Sequence, residues 1–223
     1  MHYSIIIPVY NEIKKIDRLL IEIESLQLNI HNEIIIIDDG SDDGTEKVLK
    51  KQKLINLIHL EKNSGKGIAI RKGLEIASKE KIIIFDGDME LYPRDILRLM
   101  ILDNTKNINC VFGIRKGHLS FLYPSWSLGN YILTLIFNRI NKSNFKDILC
   151  CAKAFYKNNI NINNLHSKGF DIDVELASLL IKNSGIINTI PINYTRRTKR
   201  GGKKLRFIDG WIIFKCIIKR IAD

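Results

Sequence analysis

The 223-residue chain has no hydrophobic run long enough to cross a bilayer. A spanning helix needs roughly 20 consecutive apolar residues, and the longest stretches, near Leu128 to Phe137 and Trp211 to Ile221, are too short or broken by charge. Met1-His2-Tyr3-Ser4 passes straight into a strand-like run, so no signal peptide is expected. Cysteine is sparse. Cys110, the adjacent Cys150 and Cys151, and Cys216 share neither a metal-ligand spacing nor a secreted framework, and reduced thiols in a cytoplasmic protein are the expectation. Two phosphate-binding signatures are also missing. The spacing Gly-x-x-x-x-Gly-Lys-Ser/Thr does not occur, and no Gly-x-Gly-x-x-Gly follows the first strand, which argues against a P-loop nucleotidase and a dinucleotide-dependent oxidoreductase. No internal repeat or low-complexity tract interrupts the chain.

Acidic residues are in deficit, 24 Asp and Glu against 35 Lys and Arg, for a net charge of +11. The imbalance sits at one end, where ten basic residues from Arg196 onward face only Asp209 and Asp223. Such a tail suits a polyanionic partner (phosphates, nucleic acid or an anionic membrane), or else serves as a solvated tail. Nucleic acid is the weakest of these, because Arg196 to Arg206 has no aromatic interleaving and no nucleic-acid motif accompanies it. Hydrophobic residues make up 45% of the chain, enough for one generous domain.

What is present centres on Ile82-Ile83-Ile84-Phe85-Asp86-Gly87-Asp88-Met89-Glu90. A short, wholly apolar run reads as a strand buried in a parallel sheet, delivering its successors to the rim where ligands bind. Here those successors are Asp86, Asp88 and Glu90. Three acids at alternate positions suit a hard divalent cation, although Asp-x-Asp alone is equally a polar turn. Similar runs at Ser4 to Val9, Glu33 to Ile37 and Leu54 to Leu60 alternate with helical patterns at Ile13 to Leu28, from a cap at Ser41 or Asp42, from Gly67 to about Ala77, and from Pro93 to about Leu102. The expected fold is α/β: a Rossmann-like, mostly parallel sheet with helices on both faces. All strand C-termini then share one edge, collecting Tyr10 to Glu12, Asp38-Asp39, Asn63 to Gly67 and Asp86 to Glu90. That is a nucleotide-sized site. The glycines of Asn63-Ser64-Gly65-Lys66-Gly67 open a helix N-terminus, which favours anions.

The second half is less regular. Strands are expected at Cys110 to Ile114, Asp147 to Tyr156 and Ile186 to Tyr194, with a helix at Asp173 to Lys182. Leu119 to Ile140, with Phe121, Tyr123, Trp126, Tyr131 and Phe137, reads as a core helix or one lying on a membrane interface. Leu205 to Ile221 is amphipathic, with Phe207, Ile208, Trp211, Ile212, Phe214 and Ile218 near one face and Lys215, Lys219 and Arg220 flanking it. It suits docking on a membrane surface or, equally, against the fold as an ordinary C-terminal helix, and is expected to form the element over 205–223 after a main domain over 1–204.

Taken together, Ser4-Ile-Ile-Ile-Pro-Val-Tyr-Asn-Glu12, Ile37-Asp-Asp-Gly-Ser-Asp-Asp-Gly-Thr45, Asn63-Ser-Gly-Lys-Gly67 and Asp86-Gly-Asp88 resemble the family-2 glycosyltransferases of GT-A fold. Gly113-Ile-Arg115, Lys146-Asp147, Cys151-Ala-Lys153, Gly169-Phe-Asp-Ile-Asp-Val-Glu-Leu176 and Ile190-Pro-Ile-Asn-Tyr194 resemble the branch of polyprenyl-phosphate hexose synthases. The resemblance implies that Pro8, Tyr10, Glu12, Ile37, Asp39, Lys66, Asp86, Gly87 and Asp88 bind a nucleotide sugar (a UDP- or GDP-hexose). It also implies that Asp86, Asp88 and Glu90 bind Mg²⁺ or Mn²⁺, although the branch often has Gln where Glu90 stands. Arg115, Arg197 and Lys203 would meet phosphates, and Asp147, Asp171, Asp173 and Glu175 would lie near sugar and acceptor. Asp88, Asp147 and Arg197 are the expected catalytic set. Asp147 orients the acceptor or acts as base, or else simply pairs with Lys146 or Lys153.

The implied reaction is an inverting transfer to a polyprenyl phosphate at the cytoplasmic membrane face, with peripheral membrane contact. A membrane partner protein or a homo-oligomer is compatible with it, and no nucleic acid is involved. A phosphate with a second pKa of about 6 is already largely ionised and needs little help from a base. The alternatives are a relative acting on a saccharide or protein hydroxyl, which would need a stronger base, and a catalytically dead sugar-nucleotide binding module.

Overall fold

A computed structural model describes residues 2–117, 124–197 and 207–219, with the side chains of 124–127 and 207 outside that description. Its seven strands are β1 (Tyr3–Val9), β2 (Glu33–Asp38), β3 (Asn56–His59), β4 (Lys81–Ile84), β5 (Cys110–Arg115), β6 (Lys153–Tyr156) and β7 (Ile187–Ile192). The helices are α1 (Ile16–Glu24), α2 (Thr45–Leu49), α3 (Lys66–Ile76), α4 (Asp95–Leu99), α5 (Pro124–Asn141), α6 (Ile172–Ser184) and α7 (Phe207–Lys219).

One sheet in the order β3-β2-β1-β4-β6-β5-β7 carries all the strands. Strands β1 to β4 run parallel, and β7 is parallel to β5. Only β6 is inverted, pairing antiparallel with both β4 and β5. The expected mostly parallel α/β architecture is therefore present.

Period-two alternation sorts the apolar side chains to the two faces. Ile5, Ile7, Ile83 and Phe85 join α1, α2 and α4 through Ile16, Leu19, Leu49, Ile96 and Leu99. Ile6, Ile35, Ile37, Ile82 and Ile84 join α3, α5, α6 and α7 through Ile70, Leu74, Phe137, Leu180 and Ile217. Thus α7 shares a core with the rest of the chain.

Several boundaries differ from the sequence expectation. The strand expected from Asp147 forms only at Lys153, because the preceding residues turn toward the sheet edge, where Asp147 binds Arg115. Neither Ser41 nor Asp42 caps α2. The helix begins after Gly44, while Asp43 holds the Thr45 amide at 3.0 Å and its hydroxyl at 2.6 Å. On α7 the docked face is Ile213 and Ile217, whereas Ile208, Trp211, Ile212 and Ile218 are exposed. On α5, Thr134 and Phe137 are buried and Leu128, Tyr131, Ile132 and Leu135 are exposed, so this helix is both core and surface. Phe121, Tyr123, Lys203 and Arg220 lie outside the described residues, as does the side chain of Trp126.

Candidate active site

The chain crosses from β1 to β2 and β3 on one side, then returns to place β4 on the other side of β1. This is a topological switch point, and the crevice beyond the strand C-termini there is where open α/β sheets bind ligands. Tyr10, Asn11 and Glu12 leave β1 at that crevice, and Asp86, Gly87 and Asp88 leave β4. Gly87 has to be glycine, since a Cβ would stand 2.4 Å from Val9 Cγ1 and 3.2 Å from the Pro8 carbonyl. The missing side chain lets the Asp86–Asp88 turn lie directly on the end of β1.

Two buried cations divide the carboxylates between them. The Arg197 guanidinium donates through Nη1 to both Glu12 oxygens at 3.0 and 2.9 Å, and through Nη2 to Asp88 Oδ2 at 2.6 Å. Its Nε is 3.7 Å from Glu90 Oε1, and its backbone N–H donates to that same oxygen at 2.9 Å. Burial opposes its charge, but Asp88 and Glu12 outweigh that and raise its pKa. Lys66, the first residue of α3, sits 2.9 Å from Asp86 Oδ1 and 2.9 Å from Asp173 Oδ2. Burial again opposes the charge, and Asp173 and Asp86 hold the ammonium well above its ordinary value. The Asp86 pKa is raised, by burial first, with Asp88 and Asp173 adding and Lys66 opposing. Asp173 Oδ1 is buried and has no hydrogen-bond partner.

A second pairing lies at the end of β5. Arg115 donates to Asp147 from Nε at 2.8 Å and from Nη2 at 2.7 Å, and its backbone N–H adds a bond at 3.2 Å. Asn130 on α5 donates to the same carboxylate at 3.3 Å. The partner of Asp147 is thus Arg115 rather than Lys146 or Lys153, and Lys153 donates instead to the Cys150 carbonyl. Arg115 also lies over the Tyr194 ring, 5.3 Å from its centroid. The Tyr194 hydroxyl bonds Glu90, and burial together with that carboxylate pushes its pKa up to about 12. Tyr194 therefore connects the Arg115–Asp147 pair to Glu90 and Arg197.

Asp39 occupies the α3 N-terminus. Its oxygens accept from the Ser64 and Gly65 amides at 2.8 and 2.9 Å, while burial raises its pKa against those bonds. The loop glycines expected to cradle an anion thus face an internal carboxylate at Ser64 and Gly65. They also allow close backbone contact: a Cβ on Gly65 would lie 2.3 Å from the Lys168 carbonyl, and one on Gly67 would lie 2.2 Å from that of Ser167.

Ile37 is fully buried in the core and cannot offer its side chain at the surface, whereas Pro8, its partner in the sheet register, and Tyr10 are both half-buried. Glu175 turns away to hold the His166 and Ser167 amides, and Asp171 accepts from the Gly169 amide. One contributor escaped the sequence reading: Lys15, which donates to the Asp88 carbonyl at 3.2 Å. Asn11, within the expected Tyr10 to Glu12 loop, takes a φ of 48°. A basic residue one turn after Glu12 was the available signal for Lys15.

Asp86, Asp88 and Glu90, the expected metal set, lie at one sheet edge but meet different cations in this structure. Among the described residues no group of three His, Cys, Asp or Glu is placed to hold a metal ion. Asp86 turns to Lys66, while Asp88 and Glu90 turn to Arg197. The donor chemistry still fits a hard cation, since all the oxygens are carboxylate and Arg197 already supplies positive charge between Glu12, Asp88 and Glu90.

The mostly parallel α/β sheet, with carboxylates and buried cations at its switch point, is of the GT-A class of fold. A family model, Glycosyl transferase family 2, matches residues 4–163. The chain belongs to that family. An uncharacterised protein of Methanocaldococcus jannaschii is 42% identical over 120 residues, covering 50% of this chain and 51% of its own length. Dodecaprenyl-phosphate galacturonate synthase of Rhizobium johnstonii is 25% identical over 166 residues, covering 70% of this chain and 48% of its own. The chain thus spans about half the length of these two curated relatives. Among solved structures, glucosyl-3-phosphoglycerate synthase from Mycobacterium tuberculosis, in complex with Mn²⁺, UDP-glucose and phosphoglyceric acid, superposes with a TM-score of 0.74. It is 17% identical, and the match covers 99% of this chain and 80% of that one.

Proposed function

We propose that the protein is an inverting glycosyltransferase that moves a hexose from a nucleotide diphosphate sugar to a polyprenyl phosphate. The observation that carries the acceptor class is the state of Asp147. Both of its oxygens are bound by Arg115, and a carboxylate so engaged is a poor proton acceptor. An acceptor that is already ionised, such as a phosphate monoester, needs none.

In this reading Tyr10, Glu12 and Asp39 border the nucleoside, and Asp86 with Asp88 faces the diphosphate. Those two carboxylates would hold Mg²⁺ or Mn²⁺, which when bound neutralises charge on the leaving diphosphate. Lys66 orients Asp86 and opposes the rise in its pKa. Arg197, released from Asp88, offers a planar donor fork to a phosphate. Arg115, fixed by Asp147 and Tyr194, presents a second charge toward the acceptor. The acceptor phosphate oxygen attacks the anomeric carbon in line, the bond to the nucleoside diphosphate breaks, and configuration inverts. The relative acting on dodecaprenyl phosphate supports this acceptor class by its name. Exposed apolar residues on α5 and α7, together with the basic tail, support peripheral contact with the inner membrane face. No helix among the described residues is long and apolar enough to cross a membrane.

A second reading, transfer to a saccharide or protein hydroxyl, draws on Asp173, whose unpartnered Oδ1 is a carboxylate oxygen not already engaged. The deciding experiment presents UDP- and GDP-hexoses with polyprenyl phosphate in detergent, with Mn²⁺ or Mg²⁺ and then with chelator. Metal-dependent lipid product, abolished in a folded Asp88→Ala variant, is expected. Donor hydrolysis or transfer to saccharide without lipid product would favour the hydroxyl reading, and full turnover by Asp88→Ala would overturn the site.

A further inference from the structure

The loop that carries Tyr10 and Glu12 is held from outside itself. The Asn11 amide donates to Ser41 Oγ at 2.8 Å, and the Asn11 side chain clasps Asp42, donating to Oδ1 at 2.8 Å and accepting from the backbone N–H at 3.0 Å. The Glu12 amide donates to Thr45 Oγ1 at 2.9 Å, and that of Ile13 to Asp43 Oδ2 at 3.0 Å. Five bonds thus strap residues 11–13 to residues 41–45. They fix Asn11 at a φ of 48°, in the left-handed region that asparagine enters more readily than most residues.

Behind the strap lies a fully buried carboxylate. Asp38 Oδ1 accepts from the Ser41 hydroxyl and, at 3.3 Å, from its amide. Asp38 Oδ2 is 2.9 Å from Nδ1 of His59, the last residue of β3, and His59 Nε2 is 3.5 Å from Glu46 Oε1. A serine hydroxyl has one hydrogen. Because Asp38 takes it, the lone pairs of Ser41 turn toward the Asn11 N–H. His59 completes the set by supplying the donor that the other oxygen of Asp38 requires in a buried setting.

Resting on the nucleotide reading above, we propose that His59 is a positioning residue for the nucleotide. Acting through Asp38 and Ser41, it sets the Asn11 turn and so the presentation of Tyr10 and Glu12, without touching the ligand. The test titrates the full chain with UDP and with GDP in the presence of Mn²⁺, and follows KM and kcat for the donor. His59→Leu is expected to weaken nucleotide binding about tenfold, the scale of one hydrogen bond to a charged group. KM should rise in step while kcat holds. His59→Asn, whose Nδ2 can stand where Nδ1 stands and donate to Asp38, should bind within about twofold of the unmodified protein. Ser41→Ala, at a half-exposed position, should reproduce the His59→Leu loss even if His59→Leu fails to fold. Unchanged affinity in folded His59→Leu or in Ser41→Ala overturns the proposal, as does failure of His59→Asn to rescue. Absence of UDP and GDP binding in the unmodified protein overturns the nucleotide reading itself, and the proposal with it.

Discussion

In this structure the guanidinium of Arg197 is the counterion of Glu12 and Asp88, with Glu90 beside it. Replacing it with glutamine leaves the buried Glu12 carboxylate without its counterion, at a cost of up to about 3–5 kcal/mol. Arg197→Gln is therefore expected to melt lower, to lose transfer activity, and to bind Mn²⁺ more tightly than the unmodified chain in the absence of nucleotide. Added Mn²⁺ should recover part of the melting temperature by binding only the folded state. Equal Mn²⁺ affinities in titration calorimetry would show that cation and guanidinium do not compete for Asp88. The Arg115–Asp147 pair calls for a double-mutant cycle on kcat/KM. If Asp147 acts through Arg115, the double variant Arg115→Gln with Asp147→Asn loses little more activity than either single variant. Additive losses would assign Asp147 a separate role.

At the scale of elements, the approach of residues 167–169 to the start of α3 brings Asp173 to Lys66. Gly67 allows it, with its backbone N–H donating to the Lys168 carbonyl at 2.8 Å. Gly67→Ala puts a methyl into the Ser167 carbonyl, and overpacking of this kind costs about 1–3 kcal/mol. Urea denaturation should show that loss, together with weaker donor binding as Lys66 and Asp173 separate. Undiminished stability would mean that the backbone relaxes freely there. Strands β1, β2 and β4 were legible because each is a short apolar run that the sheet buries, whereas β3, the half-exposed edge strand, was legible from its place in the strand-helix alternation. The inversion of β6 was not legible. Lys153 to Tyr156 has the same apolar character whichever way it runs, and its direction follows from the turn that brings Asp147 to Arg115.

Over the whole molecule, helices cover both faces of the sheet, yet α5 and α7 keep apolar residues in solvent. Trp211 stacks on Phe214 with centroids 5.4 Å apart, and Lys215 stands over the Trp211 ring. Such a surface suits the headgroup level of an anionic bilayer. Sedimentation with anionic vesicles should fall several-fold for the double variant Trp211→Glu with Ile212→Glu, and should weaken at high salt for the unmodified chain. Binding that survives both changes would place membrane contact elsewhere. The amphipathic pattern of α7 was legible, but not which face docks. The helix is apolar on more than one side, and only the neighbouring α5 and α6 select Ile213 and Ile217 for burial.

Residue order alone determined the parallel β1 to β4 scaffold, the edge at the strand C-termini and the acids brought to it, because apolar periodicity and short connections act locally along the chain. Tertiary structure decided the partners: Arg197 for Glu12 and Asp88, Lys66 for Asp86 and Asp173, Arg115 for Asp147, and Asp39 for the α3 amides. Arg197 and Glu12 are 185 positions apart. No local pattern encodes such a pairing, since which cation reaches which carboxylate depends on how the folded segments are packed in space.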